Sequence, residues 1–364
     1  MGLTFYTGAT GFLGRNLLGA LLRETRDDYL VLIRSEQSRE IIERHVPADC
    51  LDRITYVMGG LRRPGFGLAP DDADLLRKCD TFWHLAASTS FNDRDRDMLL
   101  EVNVGGTRAI LEAARKARNL NKVYYMGTAF VAGNNPGPIP QDELPPNNGF
   151  KNCYEETKYL AEAEVHTSGL PSVILRPSIV LGDSINGDCQ GETRMVYGYI
   201  LGIHHALCTH LGGNGGFAEH WNNSGLPDSI RLRLVGHPQT VKNLICINQC
   251  VEAILRIVRS DTVNRGYNLT SRNPLHGMDI RDSLEHSLRI KNVSYVGERI
   301  DKPSRLEKFA ERLTSPFRPY CVFSDPVWEV DEDMDLDVSP DTLKLLFMNF
   351  VSNRLSQCAC EETS

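Results

Sequence analysis

The chain has no apolar run long enough to cross a bilayer and no excess of basic charge, and each lack narrows what it can be. A membrane helix needs about 20 consecutive apolar residues, whereas polar or charged residues interrupt every hydrophobic stretch here. With 40 Lys and Arg against 47 Asp and Glu, the formal charge is −7, which argues against the basic stripe of a nucleic-acid binder. The ten cysteines lack the paired CxxC spacing of a zinc ribbon. Reduced thiols without a metal are the simplest reading, Cys358 and Cys360 included. His204, His205, His210 and Cys208 fit no metal-ligand spacing either. Nothing resembling a leader precedes Leu3-Thr4-Phe5-Tyr6, and Tyr6 stands where a myristoylation signal wants Ser or Thr, so the expectation is a cytoplasmic protein with no integral membrane segment. The acidic run at 331–337 lacks the glycine and closing glutamate of an EF-hand and reads as a solvated turn.

What is present is alternation. "LTFYTG", "YLVLIR", "RITYVMGG", "CDTFWHLAA", "KVYYMGT" and "SVILRPSIVLG" are short apolar runs separated by amphipathic helical stretches. Strands apolar on both faces belong in a parallel sheet, and right-handed crossovers make it doubly wound, with ligands at the carboxyl ends of the strands. The expected fold is therefore α/β: a Rossmann domain formed by 1–182 with 236–270, and a smaller, mostly helical subdomain formed by 183–235 with 271–364. In the closing helix Leu343, Leu346, Phe347 and Phe350 share one face.

Gly8, Gly11 and Gly14 form G-x-x-G-x-x-G between the first strand and the first helix. The first lets the chain turn, the second lets backbone approach a pyrophosphate at the helix N-terminus, and the third permits close helix packing. After the second strand, where an acidic residue would accept the 2′-hydroxyl of NAD, the chain offers Arg34 and then Arg44. Two cations favour a 2′-phosphate, and so NADPH. Tyr154 and Lys158 lie four apart in a helical stretch. From one helix face, the ammonium favours the phenolate and makes the tyrosine a usable proton donor. Thr128, ending the strand "KVYYMGT", is placed to hydrogen-bond a substrate carbonyl.

Taken together, TGATGFLG at 7–14, HLAA at 84–87, NVGGT at 103–107, Thr128, Y-x-x-x-K at 154–158 and RPSIVLG at 176–182 resemble an extended short-chain dehydrogenase/reductase. "HLAASTSFN" and "RPSIVLGDSINGDCQG" are similar to segments of its thioester-reducing branch, the fatty acyl-CoA reductases and the terminal reductase domains of carboxylic acid reductases and peptide synthetases. The resemblance implies that Thr128 binds the thioester oxygen, Tyr154 protonates it, and Lys158 holds the nicotinamide ribose. It implies that Gly8, Thr10, Gly11, Phe12, Leu13 and Gly14 wrap the pyrophosphate, and that Ala86 and Ala87 line the ribose. Pro177, Ser178 and Val180 would flank the nicotinamide, and Asn103 would support the Lys158 end. Leu61 would face the adenine, although Gly59-Gly60-Leu61 lacks the aspartate of the branch's Gly-Asp-Leu, and Gly127 stands where a serine commonly precedes the threonine.

The implied reaction is NADPH-dependent reduction of an acyl thioester to an aldehyde, or on to the alcohol. The acyl group would arrive on coenzyme A or on an acyl or peptidyl carrier protein, with Arg231 and Arg233 as candidate contacts. The alternatives are an extended reductase or epimerase acting on a ketone, an alcohol or a nucleotide sugar, and a non-catalytic NADP sensor.

Overall fold

The computed structural model describes residues 2–223 and 225–361; the side chains of Asn214 and of residues beyond 355, Cys358 and Cys360 among them, lie outside the described set. The first half alternates β1 (Leu3–Thr7), α1 (Phe12–Glu24), β2 (Asp28–Ile33), α2 (Glu36–Glu43), β3 (Ile54–Met58), α3 (Pro70–Leu76), β4 (Thr81–His84), α4 (Arg96–Leu99), α5 (Gly106–Arg115), β5 (Lys122–Met126), α6 (Cys153–His166) and β6 (Ser172–Pro177). The second half carries β7 (Ile179–Leu181), α7 (Val196–His210), α8 (Asn214–Asn223), β8 (Leu232–Leu234), β9 (Val241–Lys242), β10 (Leu244–Cys246), α9 (Ile247–Ser260) and β11 (Arg265–Leu269). It closes with β12 (Leu275–His276), α10 (Gly277–Leu288), β13 (Val293–Tyr295), α11 (Arg305–Thr314), α12 (Arg318–Val322) and α13 (Pro340–Glu361).

Seven strands form one sheet in the order β11-β6-β5-β4-β1-β2-β3, every neighbouring pair parallel. This is the doubly wound Rossmann sheet that the alternation predicts. β5 and β6 are buried along their whole length, as strands covered on both faces must be. α1 buries Leu17, Leu18, Leu21 and Leu22. On the sheet, Phe5, Leu30, Val57, Phe82, Ile110 and Val123 build one apolar cluster; Val104, Leu111, Tyr125, Ala161, Val165 and Ile174 build another.

The chain divides into two compact units. The first comprises Met1–Ser178, Gln249–Thr270 and Val327–Asp335; the second comprises Ile179–Asn248, Ser271–Pro326 and Leu336–Ser364. "SVILRPSIVLG", expected as one strand, breaks after Pro177, because proline brings no N–H to a ladder. β6 pairs with β11 and β5, whereas β7 pairs with β10. In the second unit α10 packs on α13 and α7 on α11, and Leu343, Leu346, Phe347 and Phe350 are buried as their spacing requires.

Two surface expectations need correction. The acidic run is not merely a solvated turn. Asp331 accepts from Gln141 and Arg265, and Asp337 accepts from Ser271 Oγ and from the backbone amides of Arg272 and Asn273. Arg233 is likewise committed: it pairs with Glu307 at 2.8 Å and donates to the carbonyls of Asp301 and Lys302. It is a local staple, not a waiting phosphate ligand.

Candidate active site

The glycine turn leaves β1 with Gly8 in the left-handed region, φ 84°. A Cβ on Gly8 would stand 2.6 Å from the Ala86 amide nitrogen, and one on Gly14 would collide with the Gly8 carbonyl. Gly11 caps α1 without a side-chain hydrogen bond, and no acidic residue occupies the first turn. The opening amides of α1, at Phe12 and Leu13, are thus left for an anion, which the helix dipole favours. Thr10 lies inside the turn, where its carbonyl accepts from Arg15. Ala86 and Ala87 follow β4, and the Ala86 amide donates to Thr7 Oγ1 at 3.4 Å. This cradle suits the pyrophosphate of a dinucleotide.

Arg34 directly follows β2 and is exposed, beside the N-terminus of α2 that Ser35 caps. Arg44 lies at the other end of that helix, ion-paired with Glu40 at 3.6 Å. Leu61 packs on Gly106, whose added Cβ would stand 3.0 Å from it. Pro177 ends β6 and Ser178 follows, its Oγ buried without a hydrogen-bond partner, a polar group suited to a nicotinamide carboxamide. Val180 lies in β7, in register with Ile245.

Asn152 caps α6 by accepting from the Glu155 amide, and Tyr154 follows in the first turn, half-buried, its ring 5.8 Å from that of Phe91. One turn on, Lys158 is 3% exposed. Its Nζ donates to the Met126 carbonyl at 2.7 Å and lies 4.5 Å from the centre of the Tyr125 ring. Burial brings the Lys158 amine down to about 8, against the opposing pull of Glu162. Thr128 is buried at the end of β5, where it caps a 3-10 turn. Its Oγ1 donates to the Pro177 carbonyl and accepts from the Phe130 amide, both at 3.4 Å. Contacts this long leave the hydroxyl weakly committed.

A polar network, of which sequence reasoning placed Asn103 but not Thr107 or His84, ties these parts together. α4 runs into a wide turn at Leu100–Gly105, which carries Asn103 inward. Asn103 Nδ2 donates to the Ser88 carbonyl at 3.1 Å and to Thr157 Oγ1 at 3.0 Å, while Oδ1 accepts from the Ser88 amide at 2.8 Å. Asn103 therefore holds the loop after β4 to the residue beside Lys158. The Thr107 hydroxyl donates to the Asn103 carbonyl at 2.6 Å, so it accepts from His84 Nε2 at 3.2 Å, and His84 Nδ1 takes the Thr7 hydroxyl at 3.0 Å. The network assigns the proton of His84 to Nε2. The one available signal was a histidine inside the apolar strand "TFWHLAA".

Burial, with the Lys158 charge adding to it, depresses the His84 imidazole to about 3 from an ordinary 6.5. The unfolded chain then takes this proton near pH 6.5 and the folded one only near pH 3, so the unfolded state holds the extra proton between them. Stability is full above pH 6.5 and falls below it, at up to about 1.4 kcal/mol per pH unit. Replacing His84 with Asn lowers stability at neutral pH and flattens the fall from pH 6 to pH 4 in denaturant melts. An unchanged slope would take His84 out of the acid response.

A parallel sheet, a glycine turn after its first strand and a Tyr-x-x-x-Lys helix beside Thr128 together carry the fold and the motif set of the extended short-chain dehydrogenase/reductase class. The NAD-binding family described as Male sterility protein matches residues 6–216, and the chain belongs to that family. It is similar to fatty acyl-CoA reductase 1 of Xenopus laevis, 31% identical over 219 residues, 48% of this chain and 42% of that protein. It is also similar to the nonribosomal peptide synthetase asaC of Aspergillus flavus, 25% identical over 367 residues, 92% of this chain and 33% of that one. The chain therefore spans less than half the length of either relative. Among solved structures, the terminal R domain from the myxalamid PKS-NRPS biosynthetic pathway has a TM-score of 0.75 at 20% identity, covering 97% of this chain and 91% of that one. UDP-glucuronic acid 4-epimerase from Bacillus cereus, in complex with NAD, has a TM-score of 0.62 at 19% identity, covering 97% and 99%. These two likenesses show the shared fold.

Proposed function

We propose that this protein reduces an acyl thioester to an aldehyde with NADPH. The observation that carries the reading is Lys158, one turn past Tyr154 on α6, donating to the Met126 carbonyl at the end of β5, two residues before Thr128; the likeness to a fatty acyl-CoA reductase and to a nonribosomal peptide synthetase supports the thioester. Gly8, Thr10, Gly11, Phe12, Leu13 and Gly14 would hold the pyrophosphate, Arg34 the 2′-phosphate, Ala86, Ala87 and Lys158 the ribose, and Pro177, Ser178 and Val180 the nicotinamide. Leu61 would lie toward the adenine. Arg44, paired with Glu40 at the far end of α2, has the weaker claim of the two arginines. The acyl group would arrive on coenzyme A or a carrier protein.

When bound, NADPH supplies a hydride to the thioester carbonyl carbon. As that carbon becomes tetrahedral, charge gathers on its oxygen, and Thr128 Oγ1 donates to it from the end of β5. Tyr154 passes its phenolic proton to the same oxygen, and the Lys158 ammonium one turn away stabilises the phenolate that results. The hemithioacetal then collapses. Its hydroxyl proton returns to Tyr154, the C–S bond breaks, and the departing thiolate takes a proton from solvent, leaving aldehyde and free thiol.

The test is cofactor oxidation against acyl-CoA thioesters of graded length, with thiol and carbonyl products assayed separately. Oxidation with stoichiometric thiol release is expected. Oxidation of a ketone without thiol release would overturn the thioester reading in favour of the wider reductase class. For the cofactor, Arg34→Glu should weaken NADPH binding by about 10- to 100-fold and leave NADH within a few-fold, since it replaces a phosphate ligand with a like charge. Equal losses for both cofactors would remove Arg34 from the 2′-phosphate.

A further inference from the structure

Glu162 lies on α6 one turn past Lys158, wholly buried, and the chemistry above gives it no task. Its Oε1 accepts from Arg176 Nε at 2.9 Å and lies 2.7 Å from Nη2. Arg176 is itself wholly buried on β6 and saturated: it also donates to the carbonyls of Pro140, Gln141 and Glu143 and to Asn268 Oδ1. Glu162 Oε2, by contrast, is buried with no hydrogen-bond partner. A Cβ on Gly127 would stand 2.8 Å from that oxygen. The carbonyl on the other side of the same peptide, that of Met126, takes the Lys158 ammonium at 2.7 Å. Two side chains of α6 thus flank the Met126–Gly127 peptide, immediately before Thr128.

A buried carboxylate with one oxygen unpaired is expensive to keep, and an ordinary structural ion pair would bond both. We propose that Glu162 is a positioning residue for the Tyr154–Lys158 pair: its unpaired oxygen, admitted against β5 by Gly127, keeps the Lys158 ammonium charged and seated on the strand end that presents Thr128. The proposal rests on the reading of Tyr154 and Lys158 as the proton-transfer pair. The other groups around Lys158 leave this work to Glu162. His84 from β4 stays neutral, Tyr125 from β5 is a buried phenol held well above its ordinary range, Tyr154 is the partner on α6, and Arg176 from β6 is a cation that Glu162 must offset first. His166, with Nε2 3.6 Å from Oε1, lies on the far side of the carboxylate. Burial works against the Glu162 charge, but Arg176 and His166 outweigh it and hold the carboxyl below its ordinary range.

The experiment is the pH dependence of NADPH affinity in the full chain, read by cofactor fluorescence, so that it needs no acyl substrate and stands apart from the thioester reading. In the wild type the affinity should fall as Lys158 loses its proton. In Glu162→Gln that fall should move to lower pH by about one unit. Glu162→Gln leaves Arg176 uncompensated, so Gly127→Ala is the second variant: its methyl would push Oε2 from its place against β5 and should move the fall in the same direction by a smaller step. A folded variant of either kind, shown by a cooperative melt, whose pH profile keeps its midpoint overturns the proposal. So does a loss of affinity uniform across pH, the mark of a purely structural role.

Discussion

Tyr154→Phe is expected to lower single-turnover reduction of the acyl substrate by about 10²- to 10⁴-fold, the span usual for a positioned general acid. NADPH binding should stay within a few-fold of wild type. The substitution removes one oxygen from a half-buried ring and keeps the aromatic face that meets Phe91 at 5.8 Å, so the fold should barely register it. The loss should appear in turnover because, in the proposed reaction, the phenolic proton would be transferred only as charge develops on the substrate oxygen. Thr128 would still donate to that oxygen, which sets a floor above the uncatalysed rate. Retention of more than a tenth of wild-type turnover would mean that another group supplies the proton.

Gly14→Ala should have the largest effect on the cofactor. The new methyl would collide with the Gly8 carbonyl, and relief requires α1 to back away from the turn. That movement is resisted by Tyr6, whose Oη donates to the Gly14 carbonyl at 2.8 Å. The amides facing the pyrophosphate would then lose their aim, and NADPH dissociation should rise at least about 100-fold, close to 3 kcal/mol. Calorimetric titration measures this directly. An unchanged affinity would show that the glycine triplet merely packs a turn.

The parallel sheet was legible because strands covered on both faces must be written in nearly continuous apolar letters, and the spacing of Tyr154 and Lys158 carries its own geometry. Glu162 and Arg176 were not legible. A buried ion pair leaves no periodic trace: Arg176 stands only as the first letter of RPSIVLG, and Glu162 draws no reading, until α6 and β6 are laid side by side. The break after Pro177 hid inside an apolar run that pairs on both sides of it. Arg233 and Asp337 looked free because their partners are far along the chain, at Glu307 and at Ser271 to Asn273. The Val327–Asp335 return was hidden for a related reason. It is anchored by Trp328, whose indole donates to the Ala129 carbonyl at 3.3 Å, and by backbone bonds to Pro136 and Ile139, which no side-chain pattern announces.

That return, and the arrival of β11 only at Arg265, govern how the protein can be made. During synthesis β6 emerges with one side of its ladder unpaired, and Arg176 waits for Asn268, 92 residues later. An exposed strand edge of this kind invites intermolecular pairing. Most of the second unit leaves the ribosome before Val327–Asp335 does, so the nucleotide-binding unit, begun first, is completed only at Asp335. A fragment ending at residue 216, where the family match ends, would keep the cradle and lose the strand that shields β6. Expression boundaries for this protein therefore belong beyond Asp335.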